Sequence, residues 1–67
     1  MKNWTPKDIK NLREKYKISQ AELGRLLGVA GNYIYMLEKG VREPSKSLRL
    51  LLDCVEEKLK RERRVIK

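Results

Sequence analysis

The side chains best placed to do chemistry in this sequence fall in one short stretch: Asn32, Tyr33, Tyr35, Met36 and Lys39, with Arg42 just beyond. A carboxamide pairs bidentately with adenine N6 and N7. A thioether offers an apolar contact of the kind a thymine methyl accepts. Phenols donate to phosphates or touch bases, and Lys and Arg neutralise phosphates. What is missing is equally informative. The 67 residues include no His and one Cys, Cys54. There is accordingly no triad base, no Cys–His pair, no imidazole ligand and no four-ligand zinc site. Carboxylates remain, but so short a chain leaves little protein to build a water-excluding pocket around them. The counts speak against an enzyme, and neither a metal, a cofactor nor a small-molecule effector is expected.

The charge points to a polyanion. Seventeen Lys and Arg stand against nine Asp and Glu, a formal net charge of +8. The surplus sits at the two ends, and residues 58–67 hold six basic groups against the single acid Glu62. A basic excess on so small a body favours phosphate backbones or anionic membrane surfaces over a merely solvated exterior. The longest aliphatic run, Leu50-Leu51-Leu52, is far below the ~20 apolar residues of a membrane span. The N-terminus MKNWTPKDIK has no apolar signal core, so Asn3-Trp4-Thr5 is a chance glycosylation match. A lone Cys suits a reducing compartment. The chain reads as an intracellular, cytoplasmic protein without a membrane partner.

The elements that must position these side chains are punctuated clearly. Little β-branching and abundant Leu, Lys, Glu and Arg predict an all-α chain. Thr5-Pro6-Lys7-Asp8 supplies an N-cap, a proline at the first helical position and an acid at the third, with Trp4 and Ile9 as a hydrophobic staple. This predicts a helix over 6–16 facing inward through Ile9, Leu12 and Tyr16, with Trp4 and Tyr16 structural. Ser19-Gln20-Ala21-Glu22 is a capping box flanked by Ile18 and Leu23. It opens a second helix that turns Leu23, Leu26 and Leu27 inward and stops at Gly28. A third helix over 31–39 ends at Gly40. Ser45 caps a fourth, whose Leu48, Leu51, Leu52, Val55 and Leu59 recur at three- and four-residue steps before a charged, fraying end. Residues 1–57 form one domain and 58–67 a basic extension of the last helix.

Two short helices around a glycine turn describe a helix-turn-helix. A small residue at Gly24 lets the third helix approach the second, and Val29, Ile34 and Leu37 fill the wedge. Ser19-Gln20-Ala21-Glu22-Leu23, Gly28-Val29, Ile34, Leu37-Glu38-Lys39-Gly40 and Pro44-Ser45 resemble the Cro/phage-repressor (XRE-type) helix-turn-helix family over about residues 8–55. The resemblance implies a small helix-turn-helix bundle of about four helices that binds DNA and regulates transcription. It also implies a phosphate-clamping role for Gln20 and a structural ion pair between Arg13 and Glu38. Two departures stand out. The family usually has Ala where Gly24 stands, a conservative difference, and its break before a fifth helix is absent here, leaving an extended C-terminal helix.

With Ile34 pointing inward on a wheel of about 100° per residue, Asn32, Met36 and Lys39 lie within about 40° of straight outward, flanked by Tyr33 and Tyr35. That face suits a major groove. Gly31 brings the helix N-terminus close to backbone or bases. Bland readings stand beside these: Asn32 as a cap for a helix whose cap position holds Ala30, Tyr33 or Tyr35 packed against neighbours, Met36 as partial core, Arg42 as surface charge.

One such unit covers few base pairs, so a homodimer on a palindromic operator of double-stranded DNA is expected. Leu50, Cys54, Val65 and Ile66 form an apolar stripe for its interface, with Cys54 as a small packed residue rather than a redox centre. The function these features imply is an autoregulatory repressor of a small operon, of phage, plasmid, antitoxin or anti-CRISPR-associated type. Alternatives are a protein-interaction module on the same scaffold, binding a toxin or polymerase, and an RNA- or membrane-surface-binding peptide driven by the basic tail.

Overall fold

Each helix begins and ends where local chemistry can satisfy its free backbone groups. The structure, a computed structural model, describes residues 3–63 as α1 (Pro6–Lys15), α2 (Gln20–Leu27), α3 (Gly31–Lys39) and α4 (Lys46–Arg63). The expected capping box of Ser19 and Glu22 is formed, and the Thr5 cap proves to be a second one: Thr5 Oγ1 accepts from the Asp8 amide while Asp8 accepts from the Thr5 amide. Ser45 Oγ accepts from the Leu48 amide at 3.1 Å and opens α4. No side chain caps α3, whose cap residue is Ala30.

The three short helices end alike. In each, one amide bonds five residues back and the preceding amide bonds three back: Ile18 to Arg13 and Lys17 to Glu14, Val29 to Gly24 and Gly28 to Arg25, Val41 to Met36 and Gly40 to Leu37. The reversal needs a left-handed residue, supplied by Gly28 (φ 79°) and Gly40 (φ 78°). At the end of α1 the same position is held by Lys17 at φ 55°, against the steric preference of an L side chain.

The core is a single cluster. Ile9 and Leu12 of α1, Leu23 and Leu27 of α2, Ile34 and Leu37 of α3, and Leu48, Leu52, Val55 and Leu59 of α4 close around Trp4 and Ile18, with Tyr16, Val29 and Tyr33 packed at its edge. Trp4 is further fixed by its indole N–H, which donates to Asp53 Oδ1 at 2.8 Å and ties the N-terminal segment to α4. α4 passes residue 57 without a break, and Leu59 lies within the core.

Three inward assignments need correction. Leu26 is 40% exposed because Gly24, about 100° from Leu23 on one side, is buried under α3 and draws the buried arc of α2 away from Leu26, about 60° on the other. Leu51 is 45% exposed for a similar reason: Leu48, Leu52, Val55 and Leu59 span only about 60° of α4, and Leu51 lies outside that arc. Cys54, expected as a packed residue, points to solvent on the same outer side, next to Leu50.

Candidate nucleic-acid interface

The fit of α3 on α2 is set by two glycines. A Cβ on Gly24 would stand 2.6 Å from the Val29 carbonyl oxygen, and one on Gly31 would stand 3.0 Å from Ala21 Cα. Gly24 is therefore required by backbone contact rather than interchangeable with Ala, contrary to the sequence expectation. The bare Cα of Gly31, expected to bring the helix start close to backbone or bases, also lets α3 seat on α2.

A polar cluster fixes the rotation of α3 from behind. Arg13 of α1 meets Glu38 of α3 in a two-pronged pair, Nε to Oε2 at 2.7 Å and Nη2 to Oε1 at 3.1 Å. Gln20 Nε2, from the first residue of α2, donates to the same Oε1 at 3.2 Å. Arg13 Nη1 also donates to the Ile18 carbonyl at 3.4 Å, just past the end of α1. The side chains are 18% and 6% exposed for Arg13 and Glu38. Burial pushes the Glu38 carboxyl up, but the hydrogen bonds from Arg13 and Gln20, with the charges of Arg13 and Lys10, outweigh it and hold the group below its ordinary range. The hydrogen bond to Glu38 raises the Arg13 guanidinium against the opposing effect of burial. One carboxylate thus joins three helices. Gln20, expected at a phosphate, spends one of its two amide hydrogens on Glu38 and keeps the other to donate.

With Ile34 and Leu37 buried and Glu38 tied down, the opposite side of α3 faces outward. Asn32 and Lys39 are exposed, and Tyr35 is 46% exposed. The Lys39 ammonium lies 5.6 Å from the Tyr35 ring centroid, one helical turn away, so the two form a cation–π pair on the surface. Tyr33 and Met36 are half-buried: the Tyr33 ring leans on the core, and the Val41 and Arg42 amides fold back onto the Met36 carbonyl at 3.0 and 3.4 Å. Arg42 itself is exposed on the loop between α3 and α4. Asn32 caps nothing.

Leu50 (48% exposed), Leu51 and Cys54 share one outer strip of α4, while Val65 and Ile66 lie outside the described residues. Sequence reasoning placed Leu51 in the core, and the signal that could have moved it is its offset from the other four inward positions. Among the described residues there is no His, Cys, Asp or Glu grouping suited to a metal, and no helix long and apolar enough to cross a membrane.

An α2–turn–α3 unit with one helix locked from behind and open in front is the architecture of a helix-turn-helix domain. The Helix-turn-helix family model matches residues 9–48, well over half of the chain, and the protein belongs to that family, in its Cro/phage-repressor (XRE) branch. It is a DNA-binding domain of the transcription-regulator type. No curated protein and no solved structure matches the chain.

Proposed function

We propose that the protein is a sequence-specific repressor that inserts α3 into the major groove of a palindromic operator and occludes transcription from its own small operon, of phage, plasmid, antitoxin or anti-CRISPR-associated type. The observation that carries the reading is the contrast between the two sides of α3: Glu38 is fixed to two other helices, while Asn32, Tyr35 and Lys39 are exposed at the front. A rigid back lets a short helix present side chains in constant register to base edges. In this reading Asn32 pairs with adenine, Met36 and Tyr33 make edge contacts at the margin of the groove, and the Tyr35–Lys39 pair and Arg42 hold the backbone. Gly31 seats the helix start, and Gln20 reaches a phosphate with the amide hydrogen that Glu38 does not take.

Affinity comes from two copies joined through the outer strip of α4, Leu50, Leu51 and Cys54. A two-fold pair sets half-sites about one helical turn, ~34 Å, apart. The setting is the cytoplasm of a bacterial or phage-infected cell, on the nucleoid.

Selection of bound duplexes from a random library, followed by binding at several salt concentrations, tests this directly. The expected result is a palindromic consensus whose affinity falls steeply with salt, as counterion release requires. Tight but sequence-indifferent binding would reduce the protein to a polycation and end the repressor reading.

A further inference from the structure

On the side of the molecule where the N-terminal segment meets the α3–α4 loop, a notch of about 240 Å³ is bounded by Trp4 and Thr5, by Gly40, Arg42 and Glu43, and by Arg49 of α4. Arg49 is unusual. Its Nε is the one side-chain donor among the described residues that is fully shielded from solvent yet has no acceptor. Such an atom loses its water and gains nothing in return, so it calls for a missing partner. The carboxylate one turn further on, Asp53, takes its hydrogen bond from the Trp4 indole instead.

Around this unsatisfied Nε the notch offers further donors. Arg42 stands at its rim. The Thr5 hydroxyl accepts from the Asp8 amide at 3.1 Å and keeps its own proton to donate. Glu43 is the single carboxylate among the lining residues, against two guanidiniums. An acceptor-only, multiply charged oxyanion matches this set, because guanidinium forks pair with phosphate oxygens in a planar, two-pronged manner. A neutral ligand would leave the positive charge of Arg42 and Arg49 uncompensated. A cation is excluded by the same charges.

We propose that the Arg49 notch is a phosphate site, separate from the face of α3, that takes the oxygens of a phosphate group. The source that the regulator reading favours is a phosphodiester of the DNA backbone flanking the groove, and this choice of source rests on that reading, whereas the site does not. Free inorganic phosphate is the other source of the same chemistry.

The full chain is titrated with inorganic phosphate against chloride at matched ionic strength, following the fluorescence of Trp4, the sole tryptophan, which lines the notch. The wild type should show a saturable change and a phosphate-dependent rise in melting temperature. Arg49→Met should show neither, while melting no lower than wild type, since it removes a donor that lacked a partner. Arg49→Lys, which keeps the charge but not the fork, should bind phosphate several-fold more weakly. An identical response of wild type and Arg49→Met, or no response beyond chloride, overturns the site.

A second arm uses the selected duplex with single phosphates replaced by neutral methylphosphonates. The wild type should lose binding about tenfold at one position per half-site to which Arg49→Met is indifferent, in line with the strength of one charged contact. If the two proteins respond alike at every position while the phosphate titration separates them, the site belongs to free phosphate. Absence of any sequence-selective duplex binding by the wild type defeats the repressor reading and leaves the phosphate titration as the judge of the notch.

Discussion

Replacing Arg13 by Met strips Glu38 of both guanidinium prongs and leaves its carboxylate, 6% exposed, with Gln20 Nε2 as its remaining side-chain partner. Breaking a buried ion pair from one side costs roughly 3–5 kcal/mol, and an exposed pair is worth about 0–1. With one partner nearly sealed and the other 18% exposed, a cost of about 2–3 kcal/mol is expected. Domains of this size have about 0.05–0.15 kcal/mol of stability per residue, so the loss is a large share of the total. Glu38→Gln should cost less, about 1–2 kcal/mol, because Arg13 is the more exposed partner and keeps its bond to the Ile18 carbonyl.

Acid supplies the discriminating test. In the wild type the Glu38 carboxyl is held below its ordinary range, so its contribution is complete above the unfolded value of about 4.3 and disappears as pH falls through the lower folded value. In Arg13→Met the burial that pushes this carboxyl up is opposed far less, and protonation relieves the variant. The stability gap between the two should therefore narrow from about pH 7 to about pH 3. Urea unfolding followed by Trp4 fluorescence measures it at each pH. A gap that stays constant across that range, or a larger loss in Glu38→Gln than in Arg13→Met, refutes the reasoning.

Asn32→Ala should weaken binding to the selected operator by about 1–3 kcal/mol, the worth of a bidentate base contact, while moving stability by less than about 0.5 kcal/mol, as fluorescence anisotropy and thermal melts would show. Lys17→Gly should raise stability by roughly 0.5–1 kcal/mol by relieving the left-handed backbone at φ 55°, and an unchanged or lower unfolding midpoint would contradict the strain. Gly24→Ala gains about 1 kcal/mol of helix propensity, yet it sets a Cβ 2.6 Å from a backbone oxygen, so a net loss of about 1–2 kcal/mol is expected in urea titration. Leu50→Asp and Leu51→Asp remove apolar groups already exposed, so circular dichroism should be unchanged while sedimentation shifts to a monomer; a dimer that survives both places the interface elsewhere.

The helix boundaries were legible because their signals are local. Thr5, Ser19 and Ser45 cap through hydrogen bonds reaching three residues ahead, and Gly28 and Gly40 turn the chain within one residue. Lys17 carries no such mark, since it occupies a glycine's conformation and is betrayed only by backbone geometry. Inward faces were legible to the nearest 60° or so, the angle between neighbours three residues apart on a helix. Leu26 and Leu51 sit at that margin, and which side of it they fall on depends on where a second helix lands. The approach of the third helix to the second at Gly24 was legible, but a missing Cβ does not tell which backbone atoms it meets, and nothing marked the neighbour of Gly31. Here the answer is Val29 and Ala21.

The distribution of polar bonds carries a functional consequence. The long-range side-chain hydrogen bonds, Trp4 to Asp53 and Arg13 and Gln20 to Glu38, lie behind or away from the outward side of α3, whereas Asn32 contributes no cap. A side chain bonded to its own protein must surrender that bond before it reads a base, and each such bond is worth about 0.5–1.5 kcal/mol, comparable with the discrimination one base contact provides. Leaving Asn32 uncommitted keeps its full contribution for the partner, and fixing Glu38 from α1 and α2 prevents that contribution from being lost to rotation of the helix. Residues at the front can then change without loosening the bundle, so binding preference and stability should vary independently at position 32 and together at position 38.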